Sequence, residues 1–580
     1  MTGVSVNVTH NTFDTIIRGG RWFDGTGAPS AVRNIGIRAG HVVAVSADEL
    51  DATGCAEVID ADGKWVLPGM LDIHTHYDVE ILGGPPALTE SLRHGVTTVM
   101  LGSCSLSTIH VDGQEAGDLF GRVEAIPPRE HVISAVAGNK TWDSAEGGMS
   151  KRWRSCPWAP NVAAFLGHSD MRTAIMGLDR ATRHSERPTR REQARMERML
   201  TEALNAGFVG MSSQQLLFDK IDGEVCRSRT LPSTYARPRE LRRLKSLLRR
   251  SGRVLQSGPP DIANPVNLAS QLAQSLGLFR NPLKTSLLSA ADVKSNPYAV
   301  KILGPLARAV NALGGNFRWQ HLPVPFEVYA DGIDLVVFEE FGTGAAALHL
   351  RDEVERNELL RDPPEYRRQF RKDYENKFGV RVWQRDFFDA DIVACPDTSV
   401  IGRSFGQVAT NRGVHPPVDA FLDLVLEHGR ALRWRTTISN HRPEVLKKLA
   451  REPGIQMGFS DAGGPPTQHG LLQHGSAAAA ACVRREKAGR PFMTIEAAVH
   501  RLTGELADWY RLDAGHLRVG DRADAVIIDP ARLDAELETY AEEPVEQYGG
   551  LSRMVNRNDD TVCAVLVGGR LVFAAGAATE

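Results

Sequence analysis

Eight short apolar runs, separated by stretches of helical pattern, occupy the middle of this 580-residue chain. They are Leu71–Ile73, Thr97–Leu101, Val162–Leu166, Phe208–Met211, Val254–Leu255, Ser286–Leu288, Thr436–Ile438 and Gln456–Phe459. The segments between them include Arg191–Ala206 and Pro238–Arg250, rich in Glu, Arg and Leu. A run that is apolar throughout suits a strand buried on both faces, and parallel strands need helical crossovers. Eight such units predict an α/β chain folded as a parallel (β/α)8 TIM-like barrel. A multidomain α/β chain has similar spacing and stays open as the alternative.

Both ends have a different texture. Ile16–Ile17, Asn34–Arg38, Val42–Val45, Val58–Asp60 and Trp65–Leu67 are short strands punctuated by Gly19-Gly20 and Ala39-Gly40. Ala525–Asp529, Val562–Val567 and Leu571–Phe573 repeat the pattern near the C-terminus. Glycine-punctuated alternation predicts antiparallel β structure. Neither end buries much alone, so residues 1–68 and 510–580 are expected to share one small β-sandwich. The barrel then covers 69–509, with an insertion over its mouth near 318–396, where aromatics, acids and the basic helix-like Tyr366–Lys377 break the rhythm. The alanine run Ala477–Ala481 reads as a helix interior.

Composition narrows the function. Hydrophobic residues make up 42% and charged residues 24%, a globular balance. A net charge of −3 gives no basic field to recruit nucleic acid or an anionic membrane. No run approaches the ~18 apolar residues of a membrane span, and Met1–Asp14 has no apolar signal-peptide centre. Seven scattered cysteines without a CxxC pair favour a reducing cytoplasm. The expectation is a large, cytoplasmic globular enzyme.

The strongest local signal is Leu67-Pro68-Gly69-Met70-Leu71-Asp72-Ile73-His74-Thr75-His76. Histidines at i and i+2 on a strand point the same way, so both imidazoles can reach one metal ion. A chance His-x-His is common, but this pair ends an apolar strand directly after the β-rich segment.

With these residues in hand, the run from Gly19 to His76 resembles the opening of the amidohydrolase superfamily, and Leu517–Asp524 resembles its return to the β-sandwich. Gly95–Val99 leading to Gly102-Ser103-Cys104, Asn161–His168, Gly207–Ser213 and Gly458-Phe459-Ser460-Asp461 are similar to the N-acyl-D-amino-acid deacylase branch. The resemblance implies hydrolysis of an amide C–N bond at a metal held at the C-terminal strand ends. His74 and His76 would be ligands from the first strand. Cys104 would be a thiolate ligand after the second, or else a small buried hydrophobe. Asp461 would touch the metal and act as general base, or else merely shape a turn.

The chain departs from that branch at the fifth and sixth strands, where Arg253–Gly258 and Leu283–Lys294 lack the histidines expected there. His74, His76, Cys104 and Asp461 then suffice for one zinc with an open position. Asp292 is a replacement ligand if the match shifts, and Lys294 a substrate anchor, a bridging lysine or a solvated side chain. His168 could orient substrate, and Arg172 could clamp a carboxylate or make an ordinary salt bridge. His441 follows the expected seventh strand and would face the mouth, whereas His321 reads as incidental. The activity implied is hydrolysis of an N-acyl-D-amino acid. The alternatives are another amide, such as a cyclic imide, a formamide or a peptide-derived natural product, or a metal-free binding barrel. The loop Gly464–Gly470 would shape the mouth.

Overall fold

The computed structural model describes residues 13–83, 88–121, 160–217, 219–258, 265–277, 280–350, 352–361, 364–377, 381–463, 491–533, 540–545, 551–557 and 560–575, with short pieces between 132 and 149 and residue 489. The expected mouth loop Gly464–Gly470 and the run Ala477–Ala481 lie outside the described residues.

Eight parallel strands form the central sheet. In chain order they are Met70–Asp72, Val96–Leu101, Asn161–Gly167, Gly210–Gln214, Val254–Gly258, Lys284–Leu287, Asn316–Gln320 and Ile455–Gln456, each paired with the next except the last. The ring closes one step further along: Phe459–Ala462, continuing the eighth strand, pairs in parallel with His74–Thr75, continuing the first. The TIM-like barrel expected from the apolar runs is therefore present.

Helices cover the outside. Arg190–Asn205 starts at Thr189, whose hydroxyl accepts from the Glu192 N–H while Glu192 accepts from the Thr189 N–H. Such reciprocal capping satisfies two backbone donors and stabilises a helix by about 1 kcal/mol. Pro238–Ser251 begins with proline at its first position and ends at Gly252 in the left-handed conformation. The short helix Gly504–Tyr510 plugs the barrel floor, where Leu506, Ala507 and Tyr510 pack on Leu71, Ile73, Met100, Phe165, Val209 and Val254.

The two ends of the chain meet in one eight-stranded sheet. Trp65–Pro68 lies between Thr15–Trp22, its parallel neighbour, and Ala525–Ile528, its antiparallel neighbour. The sheet folds round a core that includes Ile17, Ile35, Ile37, Val66, Ile527 and Leu566. Asp524 fastens it to the barrel: its carboxylate accepts from Asn161 Nδ2 at 2.6 Å, and its carbonyl accepts from the Gly69 N–H at 2.9 Å.

One expectation about the barrel is corrected. Thr436–Ile438 is a strand, but it belongs to Arg433–Ser439, the centre of a three-stranded antiparallel sheet with Phe326–Asp331 and Asp391–Ala394. The seventh barrel strand is Asn316–Gln320 instead, so Arg318, expected at the start of the insertion, lies inside the barrel. The antiparallel sheet carries its own aromatic core, with Phe338, Phe387, Phe405, Phe421, Trp383 and Trp434 in mutual contact. Among the described residues no helix is long and apolar enough to cross a membrane.

Candidate metal centre

Three strand ends converge at one point of the barrel mouth. His74 and His76 come from the first strand, Cys104 from the turn after the second, and Asp461 from the end of the eighth. Cys104 Sγ is 3.4 Å from His74 Nε2. Asp461 Oδ1 is 3.5 Å from His74 Nε2 and 3.1 Å from His76 Nε2. The donor atoms of His74, His76 and Cys104 all lie within 4.8 Å of one another.

The backbone is bent to achieve this. Gly102 has φ +75°, and a Cβ there would lie 2.0 Å from the Phe165 carbonyl oxygen, so only glycine fits. Cys104 follows at φ +52° and Ser105 at φ +69°. Asp461 sits at φ +61°. Left-handed backbone at a non-glycine residue costs on the order of 1–3 kcal/mol and persists where surrounding bonds enforce it. Here they do. The Cys104 N–H donates to Gln256 Oε1 at 3.1 Å, the Ser105 N–H to Ser212 Oγ at 3.0 Å, and the Gly102 N–H to Asp78 Oδ1 at 2.9 Å. Beside Asp461, Ser460 bonds the buried Asp72 carboxylate, while the His76 N–H donates to the Ala462 carbonyl at 2.7 Å.

His74 is fully buried, with Phe459 against its ring at 4.5 Å between centroids and Gln320 Oε1 2.8 Å from its Nδ1. Burial lowers its pKa to about 4, so the ring is neutral at pH 7 and keeps a lone pair. Burial also opposes charge on His76, but hydrogen bonds to Asp461 and Cys104 outweigh it and raise its pKa well above the ordinary value. Burial pushes both Asp72 and Asp78 up to about 7. Two imidazole nitrogens, a thiol sulfur and a carboxylate oxygen facing one another form a donor set suited to zinc. These four residues fit such an ion.

The remaining expected site residues stay apart from this cluster. Asp292 is buried in an ion pair with Arg442. Lys294 pairs with Asp389 of the inserted unit. His441 is exposed and lies with these charges; burial is the first cause lowering its pKa. Arg172 and His168 both bind Glu240 inside the helical layer: Arg172 NH1 lies 2.7 Å and His168 Nε2 2.8 Å from Glu240 Oε1, and Ser213 Oγ is 3.0 Å from His168 Nδ1. Arg172 is thus engaged by a buried carboxylate of the chain itself. His321 is fully buried, its Nδ1 2.6 Å from the Ala290 carbonyl.

The sequence reading missed Gln256 and Gln320, which brace Cys104 and His74 from the fifth and seventh strands. Carboxamides carry no charge or metal-ligand pattern, so the sequence marks out neither: Gln256 sits unremarked in an apolar run, and Gln320 on a strand whose alternation hides it.

The model of the amidohydrolase family matches residues 57–254. A Mycobacterium tuberculosis protein named as uncharacterized is 53% identical over 570 residues, covering 97% of this chain and 92% of its own length. D-aminoacylase of Alcaligenes xylosoxydans xylosoxydans is 31% identical over 202 residues, 35% of this chain and 37% of the enzyme. The crystal structure of N-acyl-D-glutamate deacylase from Bordetella bronchiseptica, complexed with zinc and a phosphonate inhibitor, shares the fold with a TM-score of 0.61 at 21% identity over 97% of each chain. The chain belongs to the amidohydrolase family, in its D-aminoacylase-like branch, and is a hydrolase.

Proposed function

We propose that the protein hydrolyses the amide bond of an N-acyl-D-amino acid or a closely related N-acyl compound, using one zinc ion held by His74, His76, Cys104 and Asp461. The observation that carries this reading is the meeting of those four side chains at the ends of the first, second and eighth strands. The carboxamide Gln256 on the fifth strand, and Ser286 on the sixth, favour one ion over two. A bound zinc supplies Lewis acidity for the amide carbonyl and lowers the pKa of attacking water toward ~7.

Asp461 does the proton work. Its carboxylate takes a proton as the water oxygen bonds to the carbonyl carbon. It returns that proton to the amide nitrogen as the C–N bond breaks, releasing a carboxylate and an amine. The left-handed backbone of Asp461 aims its side chain at the histidines, and asparagine tolerates that backbone nearly as well as aspartate.

The test is metal content together with turnover of a panel of N-acyl-D- and N-acyl-L-amino acids. Wild type is expected to hold about one zinc per chain and to cleave at least one D-substrate. His76→Ala is expected to lose most of the metal. Asp461→Asn is expected to stay folded but lose about 100- to 10,000-fold in kcat. A metal-free wild type, or equal turnover by Asp461→Asn, would overturn the proposal.

A further inference from the structure

Gln320 is an expensive residue to keep where it is. It ends the seventh strand and is fully buried, and its Oε1 lies 2.8 Å from His74 Nδ1. Its Nε2 is buried without a well-formed hydrogen bond among the described residues: the Tyr510 hydroxyl lies beside the carboxamide but is engaged by Ser286 and Gln456. Buried polar groups are almost always satisfied, and each exception asks for an explanation. Methionine has nearly the same length and would fill the same space without an orphaned amide.

The bond to His74 supplies the explanation. An imidazole that donates from Nδ1 carries its lone pair on Nε2. Nε2 is the atom that faces Cys104 Sγ at 3.4 Å and Asp461 Oδ1 at 3.5 Å. The Phe459 ring, 4.5 Å from the imidazole between centroids, packs against it but cannot choose between its tautomers. Among the described residues, Gln320 is the one hydrogen-bonding partner of His74 Nδ1. Outer partners that orient a ligand histidine are general features of metal sites.

We propose that Gln320 is a positioning residue: its carboxamide oxygen fixes His74 as the Nδ1–H tautomer and thereby presents Nε2 to the metal. The proposal rests on reading the cluster as a metal site.

The experiment compares the full-length wild type with Gln320→Met and Gln320→Glu. Zinc affinity is measured with zinc chloride against a chromophoric chelator, and thermal stability is measured on the metal-free proteins. Gln320→Met is expected to weaken zinc binding by about 10- to 100-fold. Its melting temperature should stay within about 3 °C of wild type, because the lost hydrogen bonding is offset by no longer burying a poorly satisfied amide. Gln320→Glu retains an acceptor for the same N–H and is expected to bind zinc within about threefold of wild type. The absorption of the cobalt(II)-loaded proteins should follow suit, with the ligand-field bands altered in Gln320→Met and retained in Gln320→Glu.

Equal zinc affinity in wild type and Gln320→Met would overturn this proposal alone. So would a Gln320→Glu variant as weak as Gln320→Met, since restoring the acceptor would then restore nothing. A wild type that takes up no zinc would overturn the metal reading and this proposal with it.

Discussion

Glu240 holds its charge in a place that resists charge. Burial works against ionisation, yet the His168 hydrogen bond, together with the charges of His168 and Arg172, brings its pKa down to about 2. Because the folded value lies below the ordinary one of 4.5, the unfolded chain takes up this proton first as pH falls. The stabilising contribution is present above pH 4.5 and drains away toward pH 2. Glu240→Gln is therefore expected to be less stable than wild type by about 3–5 kcal/mol at pH 7, as for other broken buried ion pairs. In urea unfolding that gap should narrow between pH 5 and pH 2.5. From the sequence, Arg172 reads equally well as a clamp for a substrate carboxylate or as a salt bridge. Nothing in Gly167–Arg172 tells that Glu240, on a later helix, supplies the counter-charge. The metal-ligand candidates are easier to read, because His-x-His on a strand fixes direction through the pleat alone.

At the level of elements, seven of the eight barrel strands are visible as apolar runs, and the remaining one, the seventh, shows why it is not. Asn316–Gln320 sends Phe317 and Trp319 into an apolar cluster with Leu303 and Ile455, while Gln320 reaches His74. Its alternation looks half-exposed, whereas an ordinary parallel strand is apolar on both faces. Thr436–Ile438 has the expected texture, but its partners come from the inserted unit. The turn after the second strand is the more legible element, since Gly102-Ser103-Cys104 follows a clear apolar run. Gly102→Ala is expected to fail there on two counts: a Cβ 2.0 Å from the Phe165 carbonyl oxygen, and a φ of +75°. The strand end must then shift, carrying Cys104 with it. The expected result is a lower melting temperature together with weaker zinc retention during dialysis against chelator, and unchanged retention would show that the turn does not set the position of Cys104.

For the molecule as a whole, the C-terminal strands complete a sheet begun by the N-terminal ones. Ala525–Ile528 covers one edge of Trp65–Pro68, and Val526 and Ile528 pack into the main core beside Leu67 and Val96. A chain truncated after residue 512 would leave that edge and those apolar faces open to water, a template for pairing with other molecules. Such a truncation is expected to aggregate and to show no cooperative thermal transition by calorimetry, despite retaining every barrel strand. The site has a related dependence on completeness. His74 and His76 leave the ribosome early, but Asp461 arrives only with the eighth strand, whose pairing with His74–Thr75 closes the ring. Assembly of the cluster and closure of the barrel are thus a single event. A nascent chain carries the histidines and the cysteine through most of the barrel's synthesis without the acid that joins them, so the cluster forms only once the eighth strand has emerged.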